Sequence, residues 1–195
     1  MRCFSTCILS YNITLMLEDM IMIKHGNQQF YELVKNIIYT PEFKEMAKYR
    51  HHINTSIYDH SLKVAYLCYC YHRKHKCNIN IKELVHAALL HDYFLYDRIG
   101  KSTANRPRNR FVHIFVHPSI AQKNACRKYR LTKAESNAIK RHMFPIVPIP
   151  PTTQCGWIIC WYDKIASIGD YINSEKWKKS LKKSHPQIFV HTQMY

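Results

Sequence analysis

Glycine is scarce in this chain, with four residues among 195. Neither G-x-x-x-x-G-K-[ST] nor G-x-G-x-x-G occurs in the sequence. These two patterns are the usual glycine-rich loops that hold phosphate groups through main-chain N–H groups. Any phosphate binding in this protein must therefore use a different kind of site.

Long apolar runs and paired cysteine motifs are also missing. No run reaches the roughly 18 apolar residues that span a bilayer, so we expect no membrane partner. The first 24 residues are interrupted by polar groups and lack a clear cleavage site, which argues against a signal peptide. The eight cysteines form no C-x-x-C pair, and several occupy predicted helix-core positions. They indicate reduced thiols in a cytoplasmic protein.

Acidic residues are few, with 13 Asp and Glu against 29 Lys and Arg, and the formal net charge is +16. This balance favours anionic partners: phosphorylated metabolites, nucleic acid or a membrane surface. Between Arg98 and Arg141 there are twelve basic residues and one acid, Glu135. The loop from Gly100 to Arg110 could reach over an anionic substrate. A solvated loop in a basic protein explains any single one of these side chains equally well.

Helical periodicity is the most frequent pattern in the chain. Apolar residues recur at intervals of three and four residues, and Thr132 with Glu135 matches a helix capping box. We expect an all-α fold in one domain, a bundle of about six to eight helices. The predicted division is an N-terminal extension over 1–26, a helical domain over 27–175 and a basic tail over 176–195. Predicted helices begin near Asn27, Pro41, His60, Ile81, Pro118, Thr132 and Thr153, the last running to about Ile172.

Six potential metal ligands occur at or near the apolar stripes of these helices. His60 shares a helix face with Val64, which directs the imidazole inward. For one isolated histidine, a hydrogen-bonded core position is the commoner explanation. Asp163 lies in a largely apolar helix, where a buried carboxylate must be paired, hydrogen-bonded or bound to metal. The full set is His60, His91, Asp92, His117, His142 and Asp163.

Four histidines and two aspartates are a donor set for divalent transition metals, namely Mn, Fe, Ni or Zn. A site for Mg or Ca would use more oxygen donors. One tetrahedral zinc ion needs fewer ligands than these six. The set therefore suits two metal ions that share a carboxylate.

The order His, His-Asp, His, His, Asp on a helical scaffold resembles the HD-domain superfamily of metal-dependent phosphohydrolases, and is most similar to small bacterial HD-domain hydrolases. The resemblance covers roughly Arg50 to Tyr171. It includes the local patterns Asn54-Thr55-Ser56-x-Tyr58-x-His60, His91-Asp92-Tyr93 and Phe115-x-His117-Pro118. No Gly-Tyr-Pro motif follows a histidine, which disfavours the cyclic-di-guanylate branch. The chain is also far smaller than the bifunctional alarmone enzymes and the dNTP triphosphohydrolases of the superfamily.

The resemblance implies that one metal is held by His60, His91, Asp92 and Asp163. Asp92 would bridge to a second metal, whose other ligands would be His117 and His142. A metal-bound hydroxide would then cleave a phosphomonoester, phosphodiester or phosphoanhydride bond in a nucleotide-like or other small phosphorylated substrate.

Four further side chains are candidates for roles beside the metals. His113 matches a histidine of similar proteins and could orient a ligand or give a proton to the leaving group. Lys164, Arg141 and Lys140 are neighbours of proposed ligands in the sequence and could bind phosphate. The alternative is a catalytically weak HD-scaffold module that regulates or binds nucleic acid, which the basic composition keeps open. The substrate and the oligomeric state stay open at this point.

Overall fold

The computed structural model describes residues 28–52, 55–96 and 110–168. Four predicted segments lie wholly or largely outside these residues: the extension over 1–26, Asn27 as the start of the first helix, the basic loop from Gly100 to Arg110 and the tail over 176–195. The predicted end of the last helix near Ile172 lies outside them as well.

The described residues form an all-α fold with one small β-ribbon, which confirms the predicted fold class. The ribbon is antiparallel and joins β1, Arg50–His52, to β2, Thr55–Ser56. A 3-10 turn over Met46–Lys48 follows the second helix. The α-helices are α1 Gln28–Ile38, α2 Pro41–Glu45, α3 Ile57–His75, α4 Ile81–Leu90, α5 Arg110–Lys128, α6 Lys133–Arg141 and α7 over 154–168.

Capping residues fix several helix starts. Thr40 accepts a hydrogen bond from the Phe43 N–H, and Pro41 occupies the first turn of α2, as predicted. The Ser56 hydroxyl accepts from the Asp59 N–H at 3.1 Å and begins α3. These caps matter for the site because α3 carries its first candidate ligand one turn after its start.

The core is organised around α3, whose residues from Ile57 to Cys70 are all buried except the half-buried Asp59. Phe30 of α1 packs edge-on against Tyr66 of α3, with ring centroids 5.0 Å apart. Burial of one such large apolar side chain contributes about 1.5–3 kcal/mol. The buried cation Lys63 donates to the Ala166 carbonyl of α7 at 3.1 Å. Helix α3 therefore contacts both the N-terminal helix and the last one, and it holds the centre of the bundle.

The predicted start of α5 is wrong. The sequence suggested that Pro118 opens a helix with His117 at its mouth, but α5 begins at Arg110 and continues through the proline. Proline has no N–H, so the Ile114 carbonyl lacks its helical donor. The helix persists because its buried face spans the proline: His113, His117 and Ala121 follow one another at intervals of four and are all buried.

None of the described helices is both long and apolar enough to cross a bilayer.

Candidate metal centre

The six predicted ligands come together at one place in the bundle. His60 lies in the first turn of α3, His91 and Asp92 follow the last residue of α4, and Asp163 lies on α7. His117 on α5 and His142 at the end of α6 complete the group. Each of the six is at most 5% exposed. Five helices thus each contribute at least one buried donor.

Asp92 is the centre of this group, and its two oxygens face different partners. Oδ1 lies 3.3 Å from His117 Nε2 and 3.5 Å from His142 Nε2. Oδ2 lies 3.7 Å from His91 Nε2. The carboxylate is therefore placed where it can serve two sets of donors, one on each oxygen.

Asp163 completes the set on the Oδ2 side. Its Oδ1 atom lies 3.1 Å from His60 Nε2 and 3.6 Å from His91 Nε2. The donor atoms of these three side chains all lie within 4.8 Å of one another, as do those of the set His91, Asp92 and His142. A third group, His51, His60 and Asp92, has the same close spacing. Three overlapping groups of candidate metal ligands result among the described residues.

Three of the histidines are oriented by their own helices. Each places Nδ1 beside a main-chain carbonyl, which can only accept a hydrogen bond, so Nδ1 carries the proton. Nε2 then presents a lone pair to the centre. The pairs are His91 with Ala88 at 2.8 Å, His117 with His113 at 3.0 Å and His142 with Ile139 at 2.8 Å.

The resulting lone pairs fit a cation. His117 Nε2 and His142 Nε2 are 3.1 Å apart, although neither carries a proton in this tautomer. Among the described residues, His91 Nε2 and Asp92 Oδ1 are buried without a hydrogen-bond partner, which normally costs about 1–3 kcal/mol per group. Ligands about 2.1 Å from one ion lie about 3–4 Å from each other. A divalent metal would satisfy these atoms at the spacings observed.

Two helix ends add to this preference. His91 and His142 are the C-caps of α4 and α6, and their rings lie 5.0 Å apart. A helix C-terminus carries roughly half a negative charge from its unpaired carbonyls. The site therefore lies where two such ends meet, which favours a positive ion.

The acid–base properties of the site match what metals require. Burial alone raises the pKa of Asp92, but the surrounding imidazoles of His91, His117, His142 and His51 outweigh it and hold that pKa well below its usual value. Burial likewise raises the pKa of Asp163, and the imidazoles of His60 and His91 reverse the shift. Burial lowers the pKa of His142 despite its carboxylate neighbour. Ionised carboxylates and neutral imidazoles are the forms that bind metal.

His51 belongs to the same cluster and was not predicted from the sequence. It lies on β1, and its ring stacks on His60 with a centroid distance of 3.9 Å. Its Nε2–H donates to Asp92 Oδ2 at 2.9 Å. The available signal was the His51-His52 pair in a polar stretch. In a strand, successive side chains point to opposite faces, so one of two adjacent histidines would point inward. The short strand itself was not predicted, so this alternation did not identify His51.

His113, predicted as a catalytic group, lies one helical turn before His117. Its Nδ1 is 3.1 Å from the Tyr96 hydroxyl, and its ring stacks on His117 at 4.7 Å. The side chain is 4% exposed. It is therefore held in place beside the candidate metal ligands, and its catalytic role stays a prediction.

A cavity of about 290 Å³ opens onto the cluster. Lys164 is at its edge, where Nζ donates to the carbonyls of His142 at 2.8 Å and Cys160 at 3.0 Å. The charged or polar side chains that face this cavity from the cluster are His51, Asp92, His113, His117, Asp163 and Lys164.

The other two predicted phosphate-binding residues lie elsewhere. Lys140 is exposed on α6. Arg141 Nη1 donates to the Pro150 carbonyl at 3.3 Å. Neither side chain is among the described residues that line the cavity. Of the three basic candidates, the structure brings Lys164 alone to the cluster.

Comparison with protein families gives one match. The family model described as HD domain matches residues 57–168, which is more than half of the chain. All six predicted ligands fall within the matched range, whereas His51 precedes it. Comparisons with curated proteins and with solved structures found no match.

Proposed function

The chain belongs to the HD-domain family, and on this basis we propose that it is a divalent-metal-dependent phosphohydrolase. Its substrate would be a small phosphorylated compound, cleaved at a phosphomonoester, phosphodiester or phosphoanhydride bond. The observation that carries the proposal is the convergence of imidazole nitrogens on both oxygens of Asp92. That arrangement of donors is compatible with a metal site.

We assign the donors to two ions that share Asp92. His60, His91 and Asp163 would hold the first ion together with Oδ2 of Asp92. The second would be held by His117 and His142 together with Oδ1. Support comes from the separation of the two sets across the carboxylate. Nitrogen-rich donor sets favour Mn, Fe, Ni or Zn over Mg or Ca.

The metal would supply an acidified water molecule at neutral pH and would neutralise charge on the phosphoryl oxygens. The protein's own groups do the rest. Lys164 Nζ donates to the carbonyls of His142 and Cys160, and it also lies 3.5 Å from Cys160 Sγ and 3.8 Å from Asp163 Oδ2. These contacts hold the ammonium group at the cavity, where its positive charge would attract a phosphoryl oxygen. Tyr96 fixes the ring of His113 at the cavity wall. We assign His113 the transfer of a proton to the leaving group.

Metal analysis and a phosphatase assay test this proposal together. Purified protein should contain two divalent ions per chain and should release phosphate from generic phosphate esters only when metal is present. Asp92→Ala should lose both ions and all turnover while its circular dichroism stays helical. Glu42→Gln is the control for loss of a carboxylate, because Glu42 pairs with Lys128 outside the cluster.

Two results would change the assignment. Wild-type turnover in Asp92→Ala would overturn the mechanism. One ion per chain, with binding retained in His142→Ala, would reduce the site to a single metal and remove the bridging role of Asp92.

A second candidate function rests on the charge of α5 and α6. Their outer surface and the turn between them carry exposed basic side chains, which are Lys123, Arg127, Arg130, Lys133 and Lys140. Such a surface attracts nucleic acid. Tight RNA binding that weakens steeply with salt, in a protein that turns over no phosphate ester, would favour this candidate over the hydrolase.

A further inference from the structure

The cavity beside the metal-binding cluster has a second wall of different chemistry. Four aliphatic side chains also line the cavity, which are Ile114, Met143, Ile146 and Ile168. They come from α5, from the segment after α6 and from α7. Three separate parts of the chain therefore give apolar side chains to the lining of one cavity.

Two of these aliphatic side chains are exposed to solvent, unlike the side chains of the core. Ile146 is 51% exposed and Ile168 is 60% exposed. Neither side chain gains full burial from the fold, and each leaves apolar area in contact with water. A cavity lined by apolar side chains together with a few convergent polar groups is characteristic of ligand sites.

The wall offers little to a nucleobase. Apart from the cluster and Lys164, Ser167 is the one polar side chain among the described residues that line the cavity, and no Phe, Tyr, Trp or Arg lines it there. A base is normally recognised by hydrogen bonds to its edge and by stacking on aromatic or guanidinium planes. Aliphatic side chains instead favour a hydrocarbon group, at about 25 cal/mol for each Å² removed from water.

We infer that the substrate is a small phosphate monoester whose alcohol part is mainly apolar. This inference rests on the proposed hydrolase function and narrows its substrate class. The phosphoryl group would lie at the metal-binding cluster, and the alcohol part would lie along Ile114, Met143 and Ile146. A water oxygen would bond to phosphorus as the ester P–O bond breaks, and the alcohol would leave with a proton. The cavity volume, about 290 Å³, lies near the lower limit for ligand sites and suits a small ester.

The test uses alkylphosphonates, which keep the phosphoryl group and resist hydrolysis. Calorimetric titration of metal-loaded protein with methyl-, propyl-, butyl- and hexylphosphonate should show affinity rising about twofold to fourfold per methylene until the wall is covered. In parallel, kcat/KM for butyl phosphate should exceed kcat/KM for nucleoside monophosphates.

The chain offers a matched pair of variants for this test. Ile146 and Ile149 lie in the same proline-rich segment and are 51% and 53% exposed, but Ile149 does not line the cavity. Ile146→Asn should flatten the dependence on chain length, because it should weaken hexylphosphonate binding more than methylphosphonate binding. Ile149→Asn should behave as wild type in both measurements.

The outcomes separate the substrate class from the hydrolase function. Affinity that is independent of chain length in the wild type, or equal losses in the two variants, would overturn the apolar-substrate inference even if phosphate esters are hydrolysed. Phosphonate binding that depends on chain length and on Ile146, in a protein that releases phosphate from no ester, would retain the apolar ligand site and reject the hydrolase.

Discussion

At the scale of single residues, Asp92 occupies a position that is costly for an ionised carboxylate. Its carboxylate is 1% exposed and has imidazole nitrogens within 3.7 Å of both oxygens. An ionised carboxylate so deeply buried is costly unless positive charge or hydrogen bonds compensate it. The hydrogen bond from His51 supplies part of that compensation without using an Nε2 lone pair that a metal needs.

The role of His51 leads to a prediction about metal affinity. Hydrogen bonds to a ligating carboxylate orient it, and their loss typically costs 10–100-fold in metal affinity. His51→Leu should therefore bind Mn or Zn about 10–100-fold more weakly in a competition assay with a chelator. His51→Gln keeps an N–H donor and should retain most of the affinity.

His75→Leu is the matched control, because His75 is exposed at the end of α3 and should bind metal as the wild type does. Wild-type affinity in His51→Leu would contradict the positioning role. An equal loss in His51→Leu and His51→Gln would show that the imidazole does more than donate a hydrogen bond.

The sequence predicted the residues of the cluster better than its supporting contacts. His60, His91 and Asp163 could be named in advance because each falls on an inward-facing helical stripe. His51 could not, because it reaches Asp92 from a three-residue strand, and such a short strand leaves no periodic pattern. Nor could sequence spacing show that Arg141 hydrogen-bonds to the Pro150 carbonyl, outside the lining of the cavity.

At the scale of elements, a side-chain contact between α4 and α6 helps to position the site. Glu135 in the first turn of α6 is 3% exposed. Its Oε2 accepts from the Thr132 N–H at 2.6 Å and completes the predicted capping box, and its Oε1 accepts from His86 Nδ1 on α4 at 2.5 Å. One carboxylate thus begins α6 and ties it to the helix that ends at His91.

This pair predicts a pH dependence of stability. Burial raises the pKa of Glu135, but hydrogen bonds from His86 and from the Thr132 N–H outweigh it and lower that pKa below the ordinary glutamate value. A carboxyl group with a lowered folded pKa stabilises the fold fully above its unfolded pKa, about 4.3, and loses that contribution as pH falls through the folded pKa. Glu135→Gln should cost about 1–2 kcal/mol at pH 7.

Urea unfolding of wild type and Glu135→Gln at a series of pH values measures this effect. The difference in unfolding free energy should narrow as pH falls from about 5 towards 3, because the wild-type carboxylate becomes protonated. Glu83→Gln on α4 is the control for loss of one negative charge. A difference that stays constant over this pH range would contradict the assigned role of the ion pair.

Two helix starts were predictable from local caps, whereas α3 begins at Ile57 after the Ser56 cap and not near His60 as predicted. Thr40-Pro41 and Thr132 with Glu135 are local signals, and both helices begin there. For α5 the most visible local signal was Pro118, and it was misleading. Buried residues on both sides of the proline, His113 and His117 before it and Ala121 after it, override its preference for a first turn.

At the scale of the whole molecule, the all-α architecture follows from the periodicity, but the crossing of five helices at one point does not. Apolar stripes show which face of α3 or α7 is buried and not which partner covers it. The order of the predicted ligands indicated which helices meet, because the donors of one metal site must lie close together. Helix α3 supports the centre from within the core, because it contacts α1 through Phe30 and α7 through Lys63.

The position of the cluster predicts that metal binding stabilises the entire fold. Donors from α3 to α7 would be joined through the ions, and the unfolded chain lacks this arrangement of donors. Free metal at 100 times its dissociation constant would add about 2.7 kcal/mol to the unfolding free energy. For a chain of this size that corresponds to a rise in Tm of about 5–11 °C.

Thermal melts in chelator and in excess Mn or Zn should show this rise in the wild type and in Glu42→Gln. Asp92→Ala should show none, because its two ions lose their shared ligand. Equal melting temperatures of wild-type protein with and without metal would mean that the cluster holds no ion, and the lone pairs of His91, His117 and His142 would then need another partner.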